Sequence, residues 1–282
     1  MAKLENKINF AVLVQVCNAN ANGDPLNGNR PRTDREGYGE ITDVCIKRKI
    51  RNRFQDMGKP IFVQSKNRRS DDCKSLSERA SKNITNFTDP DDYAKKACEK
   101  WIDVRAFGQV FGFKGRDEKE PVSVGVCGPV SIQLAKSCSP VEIKSIQITK
   151  SVNNEPGDKN GSDTMGMKHM VEFGLYVIKG SINCYEAEKT GFSKEDAEDL
   201  KIALRTLFIN DASAARPEGS MEVVKVFWWE HNNKNGQYRA SKVFNTLKIT
   251  PKDGVEIPAS EDDYDITLNN LPGLEPEVIE GL

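Results

Sequence analysis

A strand, a long polar loop and a cationic helix follow one another between Phe10 and Phe54, and no other stretch limits the folds open to this chain so tightly. Ile8, Phe10, Val12, Val14 and Val16 recur at every second position with apolar residues between them. That pattern predicts a strand with at least one buried face. The run Cys17-Asn-Ala-Asn-Ala-Asn-Gly-Asp-Pro-Leu-Asn-Gly-Asn-Arg-Pro-Arg-Thr-Asp follows, rich in hydrogen-bonding groups and in residues that adopt positive φ. At roughly 20–25 residues it exceeds an ordinary connector, which marks a functional or a disordered loop. Thr42 or Asp43 then caps a helix with Ile46, Ile50, Phe54 and Met57 on one side. Lys47, Arg48, Lys49, Arg51 and Arg53 occupy much of the remainder; Arg48 and Arg51 point most clearly away from the Ile50 face. A donor-rich loop feeding a cationic helix suits the backbone of a polyanion.

Charge distribution matters more than its total. The 282 residues carry 41 Lys and Arg against 42 Asp and Glu, net −1, which excludes a simple polycation. Between Arg30 and Lys82, however, 15 basic residues face 8 acidic ones, and from Pro251 to the end 1 faces 9. A basic N-terminal part and an acidic C-terminal segment, 251–282, thus cancel in the sum; the acidic segment reads foremost as solubilising. Seven scattered cysteines without a Cys-x-x-Cys, and only two histidines, predict free thiols in a reducing compartment and no metal site. With no signal-peptide core and no membrane-length apolar run, the expectation is a soluble cytoplasmic protein without membrane contact.

The remaining chain supplies the fold class. Ile61 to Arg105 is polar and charged, with a helix from Asp89 to Trp101, and reads as a mostly helical insertion peripheral to the main sheet (61–105). After a charged patch from Lys114 to Glu120, Val122 to Leu134 reads as strand, broken at Gly128-Pro129. Another strand runs through Val141, Ile143, Ile146 and Ile148. Asn153 to Met167 reads as a Gly- and Asn-rich loop, and Met170 to Cys184 resumes strand alternation. Ser193 opens a second helix with a capping signature, and Leu200, Ala203, Leu204, Leu207 and Phe208 form its apolar face. Val223 to Trp229 is expected to be the last strong strand. The order β-α-…-β-β-α-β predicts an α+β chain, residues 1–282, built on one RRM-like (ferredoxin-like) sheet with long excursions.

Catalytic and cofactor signatures are weak. There is no Walker A and no Gly-x-Gly-x-x-Gly opening a helix after a strand. Cys17, His169 and His231 lack an identifiable catalytic partner, and Asp24 and Asp34 in the polar loop suit turn and cap bonds. RNA binding has the better case. Arg30, Arg32, Lys47, Arg48 and Arg51 offer forked and point-charge partners for phosphates. Met165 and Met167 offer apolar wedges between bases. Arg216, in the small-residue loop Asp211 to Ser220, suits a backbone-clamping position.

Several ordered blocks then carry a family likeness. Asn20-Ala-Asn-Gly-Asp-Pro-Leu-Asn-Gly-Asn-Arg-Pro-Arg-Thr-Asp and Thr42-Asp-Val-Cys-Ile-Lys-Arg-Lys-Ile-Arg resemble the start of the Cas seven family. Asp103-Val-Arg-Ala-Phe-Gly, Gly128-Pro-Val-Ser, Ser145-Ile-Gln-Ile-Thr and Met167-Lys-His-Met-Val-Glu-Phe-Gly-Leu-Tyr continue it, over roughly Lys7 to Trp229. These are the backbone subunits of type I CRISPR Cascade, with the type I-C branch most similar. The resemblance implies an RRM-like palm, a helical finger at 61–105 and a thumb hairpin at 149–170. It implies copies polymerised head-to-tail along one CRISPR guide RNA, beside other Cascade subunits, with a target DNA strand paired to the guide. It adds Asn20, Asn22, Lys168 and His169 to the guide-binding set, and implies neither enzymatic activity nor a cofactor. Type III relatives cut RNA with a loop aspartate; Asp24 and Asp34 lie in the comparable loop, so an RNA-cleaving relative is the competing reading. A standalone single-stranded RNA-binding module is a third.

Overall fold

The computed structural model describes residues 2–113, 122–149 and 165–282. The first strand, β1 (Ile8–Ala19), is the centre of the fold. It leads through two short pieces, β2 (Gly23–Asp24) and β3 (Arg30–Pro31), to β4 (Tyr38–Ile41) and the helix α1 (Asp43–Asp56). The helices α2 (Leu76–Asn83), α3 (Pro90–Lys100) and α4 (Ile102–Phe107) follow, then the hairpin β5 (Gly108–Phe113) and β6 (Val122–Cys127). Next come β7 (Val130–Ile132), β8 (Ala135–Pro140), β9 (Ile143–Thr149) and the long β10 (Met165–Ile182). Helices α5 (Cys184–Thr190) and α6 (Lys194–Arg205) precede β11 (Met221–Glu230). The chain closes with α7 (Ala240–Phe244), β12 (Leu247–Pro251), β13 (Tyr264–Leu268) and β14 (Glu277–Glu280).

One antiparallel sheet runs β14-β11-β1-β10-β8-β4. On the side away from β1, β10 meets three strands in turn: β9 along Met165–Val171, β8 at Tyr176 and Val177, and β7 along Gly180–Ile182. The reason β1 is apolar throughout is now plain, because successive side chains point to opposite faces and both faces are covered. Phe10, Val12, Val14 and Val16 pack with Ile46, Ile50 and Phe54 of α1 and Leu200 and Leu204 of α6. Ala11 and Leu13 pack on the other side with Phe173, Phe227, Trp229, Val243, Tyr264 and Leu274.

Local signals in the sequence match what forms. Thr42 caps α1 by accepting from the Cys45 amide, Asp89 caps α3 with Pro90 in its first turn, and Ser193 and Asp196 close a reciprocal capping box on α6. The strand expected between Val122 and Leu134 breaks at Gly128-Pro129. A Cβ on Gly128 would sit 2.4 Å from the Ala106 carbonyl oxygen, so only glycine allows that close approach. The insertion after α1 has its own core of Phe62, Tyr93, Trp101 and Val104, completed by Phe111 and Val124 from the β5/β6 hairpin.

Two expectations are corrected, and one strand, β8, has no counterpart in the sequence reading. Val223 to Trp229 is not the last strong strand: β12 and β13 pair, and β14 returns to the free edge of β11. Their few buried anchors, such as Tyr264 and Leu274, are spaced too widely among acidic residues to show a period. Met165 and Met167 do not belong to a loop; β10 starts at Met165, and backbone pairing with β9 from Thr149 to Ile143 extends it beyond the apolar run. Strand β8 was hidden because Lys136 and Cys138 interrupt its small polar sequence. The expected thumb tip between 150 and 164 and the charged patch from Lys114 to Glu120 lie outside the described residues. Among those described, no helix is long and apolar enough to cross a membrane.

Candidate nucleic-acid interface

Three segments distant in sequence meet at one end of the sheet. The loop after β1 is tied down first. The Asn20 amide donates to the Ala215 carbonyl at 2.9 Å, and Asn20 Nδ2 donates to the Asn29 carbonyl at 2.6 Å. Asn22 Oδ1 accepts from both the amide and the hydroxyl of Thr42, each at 2.9 Å, and so fastens the loop to the start of α1. Arg32 pairs with Asp24 at 3.3 Å. Arg30 is exposed and reaches Ser145 Oγ at 3.4 Å, which in turn bonds His169 Nδ1 at 2.8 Å. The loop, β9 and β10 are thereby linked side chain to side chain.

The second segment is the β9/β10 hairpin. Met165 and Met167 stand 59% and 53% exposed, beside the half-exposed Ile148. Methionine side chains in water at a strand end are apolar surface without a core role, the form a wedge against a base requires. The third segment is the small-residue turn after α6. Ser213 and Arg216 exchange backbone hydrogen bonds, and the Arg216 guanidinium contacts Asp211 at 3.1 Å.

A cleft opens on either side of that turn. One, about 220 Å³, lies between Asn20, Asn29, Met167, His169 and Ala214. The other, about 300 Å³, lies between Arg48, Lys49, Asn52, Arg68 and Arg216 and is the more cationic. Asn20, Met167, Lys168 and His169 thus come together in the first, and Arg48 and Arg216 in the second. Arg51 joins neither of the two.

Helix α1 departs from its sequence reading. Arg48 and Arg51 were expected to face solvent, but the insertion covers that flank. Arg51 Nε bonds Asp103 at 2.9 Å, and this fully buried carboxylate also accepts the Phe62 and Val63 amides at 2.6 and 3.0 Å. Arg48 donates to the Val63 carbonyl at 2.7 Å, and burial pushes its pKa below the usual arginine value. Lys49 is buried against Asp211, and its pKa is likewise lowered by burial, with the carboxylate opposing. Lys47 pairs with Asp43 one turn away at 3.0 Å. Lys49, Asp211 and Arg68 are not among the expected site residues; the cationic helix was the signal for Lys49 and the small-residue loop the one for Asp211.

The aspartates of the first loop hold turns. Asp24 accepts from the Leu26 amide, and Asp34 accepts from the Glu36 and Tyr38 amides and pairs with Lys136 at 2.6 Å. The Lys136 hydrogen bond, first among its contacts, keeps the Asp34 carboxyl below the usual range. Burial raises the Cys45 thiol pKa. Among the described residues no group of three or more His, Cys, Asp or Glu is placed to hold a metal ion.

The sheet face opposite α1 and α6 is closed. Phe173, Phe227 and Trp229 lie beneath Val243, Tyr264 and Leu274, so bases cannot stack on them as on an open RNA-binding sheet.

Comparison with known proteins places this geometry. The family model of CRISPR-associated protein Cas7 matches residues 6–269. A Haloferax volcanii protein described as CRISPR-associated protein Cas7 is 28% identical over 211 residues, 69% of this chain. The match spans 62% of that relative's length. A chain of a solved CRISPR RNA-guided surveillance complex, pre-nicking, aligns with 89% of this chain and 84% of its own, with a TM-score of 0.54 at 13% identity. That likeness is one of fold.

Proposed function

The chain belongs to the CRISPR-associated protein Cas7 family, and on that premise we propose that it is a guide-RNA-binding backbone subunit of a Cascade surveillance complex. Copies lie head-to-tail along one CRISPR RNA, a heterologous contact that does not close and so makes a helical filament. Other Cascade subunits join it, and the type I-C branch is the proposed subtype. The protein grips backbone while guide bases pair with the target DNA strand, so sequence is read by pairing and not by side chains. The subunit performs no cleavage; Asp24 and Asp34 are engaged in turns and ion pairs.

In this reading β1, β7, β10 and β11 with α1 and α6 form an RRM-like palm. Their spatial order, β11-β1-β10-β7, is that of a split β-α-β fold. The insertion at 61–105 is the finger, and the hairpin of β9 and β10, within 149–170, is the base of the thumb. The observation that carries the proposal is the meeting of the first loop, the exposed methionines of β10 and the Arg216 turn at one end of the sheet, flanked by a cationic cleft. Arg30, Arg32, Lys168 and Arg216 serve the phosphates, with Arg48 in the lining of the cationic cleft and Lys47 outside it. Asn22 holds the loop, and Arg51 holds the finger.

The test is expression together with a guide precursor, followed by purification and sizing of bound RNA. A ladder of protected lengths with a constant increment is the expected result. Protein free of RNA, or one monomer on a long strand, overturns the proposal.

A further inference from the structure

Two polar side chains with no part in the guide-binding region are buried where β1 begins and β11 ends, at the opposite end of β1 from the first loop. They are Asn9, fully buried, and His231, 1% exposed. We infer that His231 is an acid-sensitive latch: with one ring proton it fastens the strap 231–239, and through it residues 272–274, to the sheet, and a second ring proton loosens that strap while the sheet stays folded. The His231 amide donates to the Lys7 carbonyl at 2.9 Å, which fixes the start of the strap on β1. The ring then bridges two segments. Nδ1 accepts from the Gln237 amide at 2.9 Å, and Nε2 faces Asn9 Oδ1 at 2.9 Å. Gln237 carries the tie onward, because its Nε2 donates to the Gly273 carbonyl at 2.8 Å and its Oε1 accepts from the Asn232 amide at 3.0 Å. Beside it, the Tyr238 hydroxyl donates to the Pro272 carbonyl at 2.8 Å. Leu274, just beyond, is one of the side chains that close the face over Phe227 and Trp229.

A backbone amide only donates, so the Nδ1 that meets it carries no proton. The neutral ring therefore holds its proton on Nε2, which donates to Asn9 Oδ1 and leaves Asn9 Nδ2 buried without an acceptor. A second proton can enter only at Nδ1. There it sets two N–H groups against each other and brings a charge into a buried site. The charged groups around the ring do not offset that cost. Lys7, whose Nζ lies 3.5 Å from the Asn235 carbonyl, opposes a second cation. Glu230, the residue before His231, gives its carboxylate to Asn6 Nδ2 at 3.2 Å. On α5, Glu188 is taken by Lys3 and Lys234, Glu186 pairs with Lys189, and the Tyr185 hydroxyl donates to Asn235 Oδ1. Arg239 and Lys242, at the start of α7, add only positive charge; residues 271–274 bring none, and Glu275 beyond them is exposed. Burial, with Lys7 adding to it, accordingly holds the His231 pKa below the usual imidazole value. The stability that the neutral ring contributes is thus whole above the ordinary histidine pKa of about 6.5, and is lost as pH falls through the lower folded value.

The chain has two histidines, so NMR of the ring nitrogens, with His169→Gln to tell them apart, reads His231 directly. The expected result is a proton on Nε2 and none on Nδ1 at neutral pH, with a titration midpoint below about 6.5. Hydrogen exchange read by mass spectrometry, corrected for intrinsic rates, then compares the whole chain at about pH 7.5 and about pH 5, on either side of that value. Amides of 232–239 and 273–274 should lose about tenfold in protection at the lower pH, the effect of one net hydrogen bond, while those of α1 and α6 keep theirs. His231→Gln, which carries no charge at either pH, should protect the strap equally at both. Should that variant not fold, the titration and exchange of the unaltered chain decide alone. A midpoint at or above about 6.5, a proton on Nδ1 at neutral pH, or strap protection that ignores pH overturns the latch. Loss of protection from the strap and the central sheet together also overturns it, because the opening is then global.

Discussion

The flank of α1 and the turn after α6 both present arginine or lysine, yet the two differ in what surrounds the charge. On α1, Arg51 faces a fully buried carboxylate that also holds two amides of the insertion, and Lys49 lies buried on Asp211. At the turn, Arg216 is partly exposed at the rim of the larger cleft, across a few small residues from Met167 and Lys168 in the smaller one. Density of positive charge along a sequence therefore does not locate a polyanion site. Where a helix is covered on both sides, its cations serve as internal ties. Where small residues leave the surface open, a few cations beside apolar side chains make the better interface.

Breaking the internal tie should have the largest effect. Asp103→Ala leaves Arg51 without its partner and the Phe62 and Val63 amides without an acceptor, and is expected to destabilise the fold by about 3–5 kcal/mol. Urea unfolding checks this; a loss below about 1 kcal/mol would mean that the insertion is held by its apolar core alone. Reversing charge at the open site, Lys168→Glu with Arg216→Glu, should weaken RNA binding by about 10- to 100-fold irrespective of sequence. It should also flatten the salt dependence of log affinity by about two phosphate contacts. An unchanged salt slope would remove these residues from the site.

Loss of the loop anchor is intermediate. Asn22→Ala deprives the Thr42 amide and hydroxyl of their acceptor and should cost about 1–2 kcal/mol in chemical unfolding, with the first loop opening first in hydrogen exchange. Protection that is unaltered there would show the loop to be held from elsewhere. The smallest effect on stability is expected for Met165→Ser and Met167→Ser, within about 0.5 kcal/mol, because both side chains stand in solvent. Their RNA affinity should nevertheless fall severalfold; a large stability loss would mean that they pack as core.

What sequence disclosed, and what it withheld, follows the same division. Thr42, Asp89, Ser193 and the Gly128-Pro129 break are local signals, and each formed as read because capping and turn chemistry act over a few residues. Arg51 and Asp103 are 52 positions apart, and helical periodicity says which side of α1 is apolar but not what covers the other. The return of β14 to β11 was unreadable for a like reason, since an edge strand of four residues, Glu277–Glu280, is too short to show a period and is held by backbone pairing. The ordered blocks that pointed to the family were readable throughout. Convergence of Asn20, Met167 and Ala214 on one cleft was not, because it depends on two loops and a strand end meeting in space.

Photo-crosslinking of the protein assembled on a thiouridine-substituted guide, with peptides mapped by mass spectrometry, is the most direct test that RNA lies across the junction of the first loop, the β9/β10 hairpin and the Arg216 turn. Crosslinks at Asn20–Arg32, Met165–His169 and 212–216, recurring with one spacing along the guide, are expected. Crosslinks confined to the covered sheet face or to the acidic segment after Pro251 would contradict the account.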